Sequence, residues 1–399
     1  MKESRGNRLH IAVLGKMNTG KSSVINALFN REISIVSEVG GTTTDVNQKA
    51  MELLPIGPLS IMDTAGFDDS GALGKKRVEK TLEVLNRTDA AIIVFDYNGA
   101  DEHDLELFKL LKERKIPILS IINKTDIKKP DKNDIDIIDK NSDCIIFVSA
   151  KYDKDIPAKI KQGLIKILSE EQLMQKSLLG DIIKTGDTII LVIPIDKEAP
   201  KGRIILPQVQ TIRDILDCKA VSVCCGVQTL RNTIDNLKNP PSLVITDSQA
   251  FREVHEIING EVALTSFSIV FARQKGDLST FANGAQVLDK LNDGDKILIC
   301  ESCSHHPVED DIGRVKIPNL IKKYSGKKIE FEHVGGHIFP KDIEKYKLII
   351  HCGACMTNRR EVLSRIEISS AKNVAITNYG IAIAKCLGIL DIALKPFKN

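Results

Sequence analysis

Continuous apolar runs, separated by polar helix-like stretches, dominate the first part of the chain. Leu9–Leu14, Ala90–Phe95 and Ile118–Ile122 read as strands, Leu59–Met62 as a strand running into an aspartate, and Cys144–Val148 as the last of the set. Uninterrupted apolar runs of this length suit a parallel sheet covered on both faces. Helices expected at Lys21–Phe29 and Ile156–Leu168 complete a doubly wound α/β domain over residues 1–170. The polar stretch Glu170–Gly186 reads as a linker. Strands are expected next at Ile189–Ile193, Ala220–Cys224, Leu243–Thr246 and Ser268–Phe271, with a helix at Gln208–Leu216, giving a small α/β domain over 171–273. The third domain, 274–399, is also α/β. Its expected helices are Leu278–Leu291, Ile317–Tyr324, Arg360–Ile366 and Ile381–Leu387. Its expected strands are Lys296–Cys300, Lys328–His333, Lys347–His351 and Val374–Thr377. No internal sequence repeat is visible.

Composition narrows the partners. The 399 residues are 42% hydrophobic and 27% charged, the balance of a soluble globular chain. Apolar runs such as Ile116–Ile122 are too short to cross a bilayer, and the charged N-terminus lacks the apolar stretch of a secretory leader, so a cytoplasmic protein with no membrane partner is expected. With 56 basic against 53 acidic residues the net charge is only +3, and aromatics are 4% with no Trp. Neither an electrostatic footprint nor stacking platforms for nucleic acid are visible, and none is expected as a partner.

Local motifs carry the chemistry of the first domain. Gly15-Lys16-Met17-Asn18-Thr19-Gly20-Lys21-Ser22, followed by Ser23, matches G-x-x-x-x-G-K-S between a strand and a helix. Backbone N–H groups of such a loop wrap phosphates, Lys21 reaches the β- and γ-phosphates, and Ser22 offers a hydroxyl to Mg²⁺. Asp63-Thr64-Ala65-Gly66 ends the next core strand: Asp63 can hold the magnesium shell, and the Gly66 N–H can reach the γ-phosphate. Asn123-Lys124-Thr125-Asp126 supplies a carboxylate, Asp126, for the guanine N1–H and 2-amino group, donors that adenine lacks. Ser149-Ala150-Lys151 can offer a backbone N–H to the guanine carbonyl. GTP is therefore the expected nucleotide, and the expected fold class is a Ras-like P-loop NTPase sheet followed by two smaller α/β domains. Phe67 stands where Ras-type enzymes orient water with glutamine, so slow intrinsic hydrolysis is expected.

Asn18 together with Gly41-Thr42-Thr43-Thr44-Asp45 resembles GTPases related to the tRNA-modification protein MnmE. That resemblance implies a potassium ion held at Asn18 in place of an arginine finger. It also implies Thr43, with Thr42 beside it, as the switch residue sensing magnesium. Lys21, Thr43 and Gly66 are then the residues expected to act on the γ-phosphate.

The third domain has its own chemistry. Among nine cysteines, Cys300/Cys303 and Cys352/Cys355 form two pairs at strand ends, with His305, His306 and His351 alongside. In a reducing compartment such pairs are metal or redox sites more often than disulfides. Spacing fits a tetrahedral zinc site or an iron–sulfur cluster equally. His333 and His337 flank Gly335-Gly336 and are second-tier candidates for the metal neighbourhood, while adjacent Cys224 and Cys225 read as small buried side chains.

Cys303-x-His305 and His351-Cys352-x-x-Cys355, with the adjoining His305-His306 and Asp310–Pro318 segments, C-terminal to an MnmE-like GTPase, resemble the HydF family of [FeFe]-hydrogenase maturation GTPases. The resemblance implies a [4Fe–4S] cluster on Cys303, Cys352 and Cys355, with His305 and His351 as ligands or neighbours and Cys300 outside the set. It further implies a homodimer through the middle domain and a transient diiron precursor shaped by two radical-SAM maturases. That precursor would be delivered to apo [FeFe]-hydrogenase, with GTP as a switch on partner contacts. The alternative from another class is a zinc-containing regulatory GTPase acting in RNA modification or ribosome assembly.

Overall fold

A computed structural model describes residues 5–29, 37–38, 47–63, 81–128, 130–173, 177–195, 202, 204–302, 311–354 and 356–398. The chain divides into two compact units, Met1–Gln175 and Lys176–Asn399.

In the first unit the strands are β1 (Leu9–Leu14), β2 (Ser37–Glu38), β3 (Asn47–Leu53), β4 (Gly57–Asp63), β5 (Ala90–Phe95), β6 (Ile118–Ile122) and β7 (Cys144–Phe147). They form one sheet in the order β2-β3-β4-β1-β5-β6-β7. All neighbours from β4 to β7 run parallel, whereas β3 is antiparallel to both β4 and β2. Side chains alternate across the strand, so Ile11 and Val13 pack with Val24, Leu28, Ile160 and Leu164 on one face. Ala12 and Leu14 join Leu107, Phe108, Leu111 and Ile138 on the other. Burial on both faces is the reason these strands read as unbroken apolar runs. The carboxyl ends of β1, β4, β6 and β7 consequently share one edge, where the phosphate and base motifs begin.

The second unit holds two four-stranded parallel sheets. Strands β8 (Thr188–Val192), β9 (Val221–Cys225), β10 (Leu243–Thr246) and β11 (Leu264–Ser266) lie in the order β9-β8-β10-β11. Strands β12 (Lys296–Glu301), β13 (Glu330–Gly335), β14 (Leu348–His351) and β15 (Ala375–Asn378) lie in the order β13-β12-β14-β15. The two sheets thus repeat one topology, second-first-third-fourth, that leaves no trace in the sequence. A single core spans them, from Ile190, Val192 and Val244 to Leu298, Ile349 and Ile376.

Three expectations are corrected. Ser268–Phe271 is not a strand but part of helix Phe267–Lys275, whose Phe267, Ile269, Val270, Phe271 and Ala272 are all buried. A segment buried all round carries no period to distinguish helix from strand. The stretch 170–186 is only partly a linker: Leu178, Leu179 and Ile183 are buried in the second unit, and Asp214 accepts the N–H groups of Leu178 and Leu179, each at 2.9 Å. Cys224 is exposed on the edge strand β9, not a buried filler, while Cys225 beside it is half-buried.

Among the described residues, no helix is long and apolar enough to cross a membrane.

Candidate functional site

Two sites are built at strand ends, one in each unit. In the first, β1 turns into the loop 15–20 and then helix Lys21–Phe29. Gly15 and Gly20 sit at φ +134° and +95°, a region closed to most side chains, and Asn18 also takes a left-handed φ of 62°. A Cβ on Gly15 would strike the Val94 carbonyl, so the loop presses against β5. Lys21 Nζ folds over the loop, donating to the carbonyls of Gly15 at 2.7 Å and Lys16 at 2.6 Å. Ser22 and Ser23 are exposed at the first turn of the helix, beside Asp63 only in the sense of topology: β1 pairs with β4, with Val13 opposite Asp63. Burial raises the Asp63 pKa, and the charges of Lys21 and Lys49 oppose that shift.

Asn123 joins the motifs. It is 2% exposed, its Nδ2 donates to the Thr19 carbonyl at 2.9 Å, and its Oδ1 accepts the Ala150 N–H at 2.9 Å. One amide therefore ties the phosphate loop to the loop after β7. Asp126 Oδ1 accepts the Ser149 hydroxyl at 2.6 Å, which ties this carboxylate to the loop after β7. Lys124 takes φ 60°, and its Nζ lies 3.6 Å from Asp96 and 6.0 Å from the Tyr97 ring centroid. Lys151 is exposed over the Tyr152 ring. Thr42, Thr43, Gly66 and Phe67 lie outside the described residues.

Sequence reading missed two supports here. Asp153 accepts the Ser149 N–H at 3.0 Å and pairs with Lys159 at 3.1 Å; the backbone donor is the leading reason its pKa lies below the usual carboxylate value. Lys16 Nζ reaches Asp101 at 2.7 Å and Asp104 at 2.8 Å. These carboxylates also cap helix Glu102–Glu113, Asp101 taking the N–H of Asp104 at 3.2 Å and Asp104 that of Asp101 at 3.1 Å. Burial works against the Lys16 charge, yet the two carboxylates outweigh it and raise the pKa. An acidic D-x-x-D start to a helix was the available signal, but nothing in sequence pairs it with a lysine 85 or more residues away.

The second site lies between β12 and β14. Their connections leave in opposite directions, and ligands in open α/β sheets gather outside the carboxyl ends at such a switch point. Cys352 follows β14 and is 8% exposed; its N–H continues the ladder to the Cys300 carbonyl at 2.9 Å. Its Sγ accepts the Ser302 N–H at 3.2 Å. His351 is 1% exposed, with Nδ1 2.8 Å from the Cys352 carbonyl and Nε2 2.9 Å from Arg365 Nη1. Cys300 is fully buried, and burial pushes its thiol pKa up to about 12. Glu301, at the end of β12, accepts from Tyr379 Oη at 3.4 Å and lies 3.6 Å from Arg314 Nε. A Cβ on Gly313 would meet the ends of both Tyr379 and Glu301, so any side chain here would have to push those two groups aside. His333 Nε2 is 3.2 Å from the Gly313 carbonyl, and His337 Nδ1 2.9 Å from Glu361.

Cys303, His305 and Cys355 lie outside the described residues, and among the described ones no three His, Cys, Asp or Glu side chains converge as metal ligands. What is described fits a thiolate-held group: a buried cysteine at a switch point whose sulfur takes a backbone N–H. Close by in sequence, Thr357 is 1% exposed, and its Oγ1 has no hydrogen-bond partner among the described residues.

The nucleotide frame makes the first unit a P-loop GTPase domain, and the second a paired α/β unit with a cysteine at a switch point. Residues 10–124 match the family model of the 50S ribosome-binding GTPase. Residues 178–276 match the hydrogen maturase F dimerization domain and 279–396 its tetramerization domain, together more than half of the chain. The chain belongs to the hydrogen maturase F family.

Its GTPase part is similar to the tRNA modification GTPase MnmE of Desulforamulus reducens, 34% identical over 186 residues, covering 46% of this chain and 37% of that protein. It is also similar to MnmE of Legionella pneumophila strain Corby, 38% identical over 124 residues, covering 30% of this chain and 28% of that one. The chain thus spans well under half the length of these curated relatives. Among solved structures it is similar to Era in complex with MgGDPNP and 16S ribosomal RNA, at 23% identity over 63% of this chain and 96% of that one, with a TM-score of 0.34. The G domain of the T. maritima FeoB iron transporter is 20% identical over 40% of this chain and 98% of that one, with a TM-score of 0.31.

Proposed function

We propose that this protein is a GTPase-coupled scaffold of [FeFe]-hydrogenase maturation. It binds a [4Fe–4S] cluster through Cys303, Cys352 and Cys355, carries a diiron precursor made with two radical-SAM maturases, and delivers it to apo-hydrogenase. The observation that carries the reading is the joining, in one chain, of an Asn123-centred guanine-nucleotide frame to a buried cysteine at the switch point of a hydrogen maturase F unit.

In the GTPase domain, Asp126 reads the guanine edge and the loop amides of 15–20 bind phosphates. Lys21 exchanges its two carbonyl partners for phosphate oxygens. Ser22, Asp63 and Thr43 hold magnesium, Gly66 meets the γ-phosphate, and Asn18 takes potassium. Hydrolysis is slow without potassium. In the second unit, Cys352 is pre-oriented by the Ser302 N–H, a hydrogen bond that also stabilises a thiolate. When bound, the cluster supplies an iron able to accept a ligand from a carried fragment. The dimerization and tetramerization models support an oligomer, with a homodimer as its simplest form. GTP turnover acts on partner contacts, in the cytoplasm.

Anaerobic isolation with iron and zinc analysis, plus EPR of the dithionite-reduced protein, tests the scaffold. Wild type is expected to hold about four irons per chain and give a reduced-cluster signal that Cys303→Ala, Cys352→Ala and Cys355→Ala each abolish. One zinc and no EPR signal would overturn it.

A further inference from the structure

Arg365 stands in the middle of helix Arg359–Ala371 and is 2% exposed, an unusual place for a guanidinium. Its Nη2 donates to Glu361 Oε1 at 2.7 Å and to the Gly336 carbonyl at 3.0 Å, and its plane lies 5.5 Å from the Phe339 ring centroid. Glu361 is 3% exposed and meets His337 through its other oxygen at 2.9 Å. Nη1 points to His351 Nε2 at 2.9 Å.

Chemistry fixes the state of His351. A guanidinium only donates, so Nε2 must present its lone pair to Arg365. A carbonyl only accepts, so Nδ1 must carry the hydrogen that points to the Cys352 carbonyl 2.8 Å away. The neutral Nδ1–H ring satisfies both demands at once. Nε2 has a single lone pair in the ring plane, and it cannot serve guanidinium and iron together.

We propose that Arg365 is a positioning residue of the iron–sulfur site: it occupies His351 Nε2, keeps that imidazole off iron, and makes the ring a strut that fixes the backbone of Cys352. The proposal rests on Cys352 being a cluster ligand, as proposed above. Glu361 anchors the device by holding the guanidinium where no water can replace either partner. His351 then acts through Cys352, whose carbonyl is held by the ring and whose sulfur is held by Ser302.

Full-length chain labelled with ¹⁵N-histidine tests the arrangement in two states. Without iron, two-bond ¹H–¹⁵N spectra near neutral pH should show a neutral Nδ1–H ring that disappears in His351→Gln. Arg365→Met alone takes the guanidinium from a buried carboxylate and can unfold the unit, so the informative variant is Arg365→Met with Glu361→Gln, which removes both buried charges. In it the ring pattern should change. After reconstitution with iron and sulfide, pulsed EPR of the reduced wild type should show no directly bound nitrogen that depends on His351. Loss of iron to a chelator should be faster in the double variant by roughly 10- to 100-fold. An Nε2–H ring, a bound nitrogen that vanishes in His351→Gln, or wild-type iron retention in the double variant would each overturn the proposal. A wild type that takes up no iron removes the cluster, and with it the role of Arg365 as its positioning residue, while the iron-free spectra still decide the hydrogen bonding itself.

Discussion

Asp126 is held by the Ser149 hydroxyl at 2.6 Å, which leaves its second oxygen and remaining lone pairs for a base. If Asp126 reads the guanine edge, as proposed, replacing it by Asn puts an amide donor toward the guanine N1–H and 2-amino group, donor against donor. Asp126→Asn should weaken GTP binding by roughly 100-fold or more and favour xanthosine triphosphate, whose 2-oxo group accepts; competition titration of the two nucleotides checks this. Lys16 is a support of a different kind. Lys16→Met leaves the carboxylate of Asp104, 4% exposed, without its cation and should destabilise the first unit by about 1–3 kcal/mol, read from urea unfolding. The sign with pH follows from a raised lysine pKa: the contribution is full below the ordinary value of 10.5 and is lost as pH rises through the higher folded value. The variant's deficit should therefore be constant through neutral pH, shrink in strong alkali, and shrink also in acid as Asp104, whose pKa burial raises, takes up a proton.

At the scale of elements, close approach decides the second unit. Helix Leu278–Ala285 lies against β15, and a Cβ on Gly284 would collide with the Ile376 carbonyl. Alanine has the better helix propensity by about 1 kcal/mol, so propensity alone predicts that Gly284→Ala stabilises. Contact with a backbone carbonyl that cannot step aside predicts the reverse. Gly284→Ala should cost about 1–3 kcal/mol, and thermal unfolding of the full chain distinguishes the two signs. Helix Glu102–Glu113 shows a related economy: one pair of aspartates caps its N-terminus and also holds the phosphate loop through Lys16, so helix and loop are mechanically joined.

At the scale of the molecule, the proposed chemistries fall in two separate α/β units, and the ions proposed for them can be tested separately. If Asn18 holds potassium, GTP hydrolysis should be faster in potassium than in sodium chloride by roughly 10-fold or more, and Asn18→Ala should erase the difference without abolishing nucleotide binding. Equal rates in the two salts would remove potassium from the mechanism. The repeated topology of the two C-terminal sheets places the ends of β8 and β10 at the position that the ends of β12 and β14 hold in the other. Only the latter pair runs into cysteines, so the shared scaffold does not by itself make a metal site.

The sequence alone determined whatever depends on neighbours along the chain. Ala90–Phe95 and Ile118–Ile122 were legible to the residue as strands, because a strand buried on both faces must be apolar throughout. The phosphate and base motifs were legible because each is a short loop whose signature residues are neighbours in the chain. Helix Phe267–Lys275 was not, since burial on every side erases the period that names an element. Nor could the chain order reveal that Asn123 bridges Thr19 and Ala150, that Lys16 meets Asp104, or that Arg365 takes the lone pair of His351. Those contacts arise only when strand order brings distant loops to one sheet edge. There, polar groups withdrawn from water must find partners in one another, and which partner each one finds is decided by the tertiary structure.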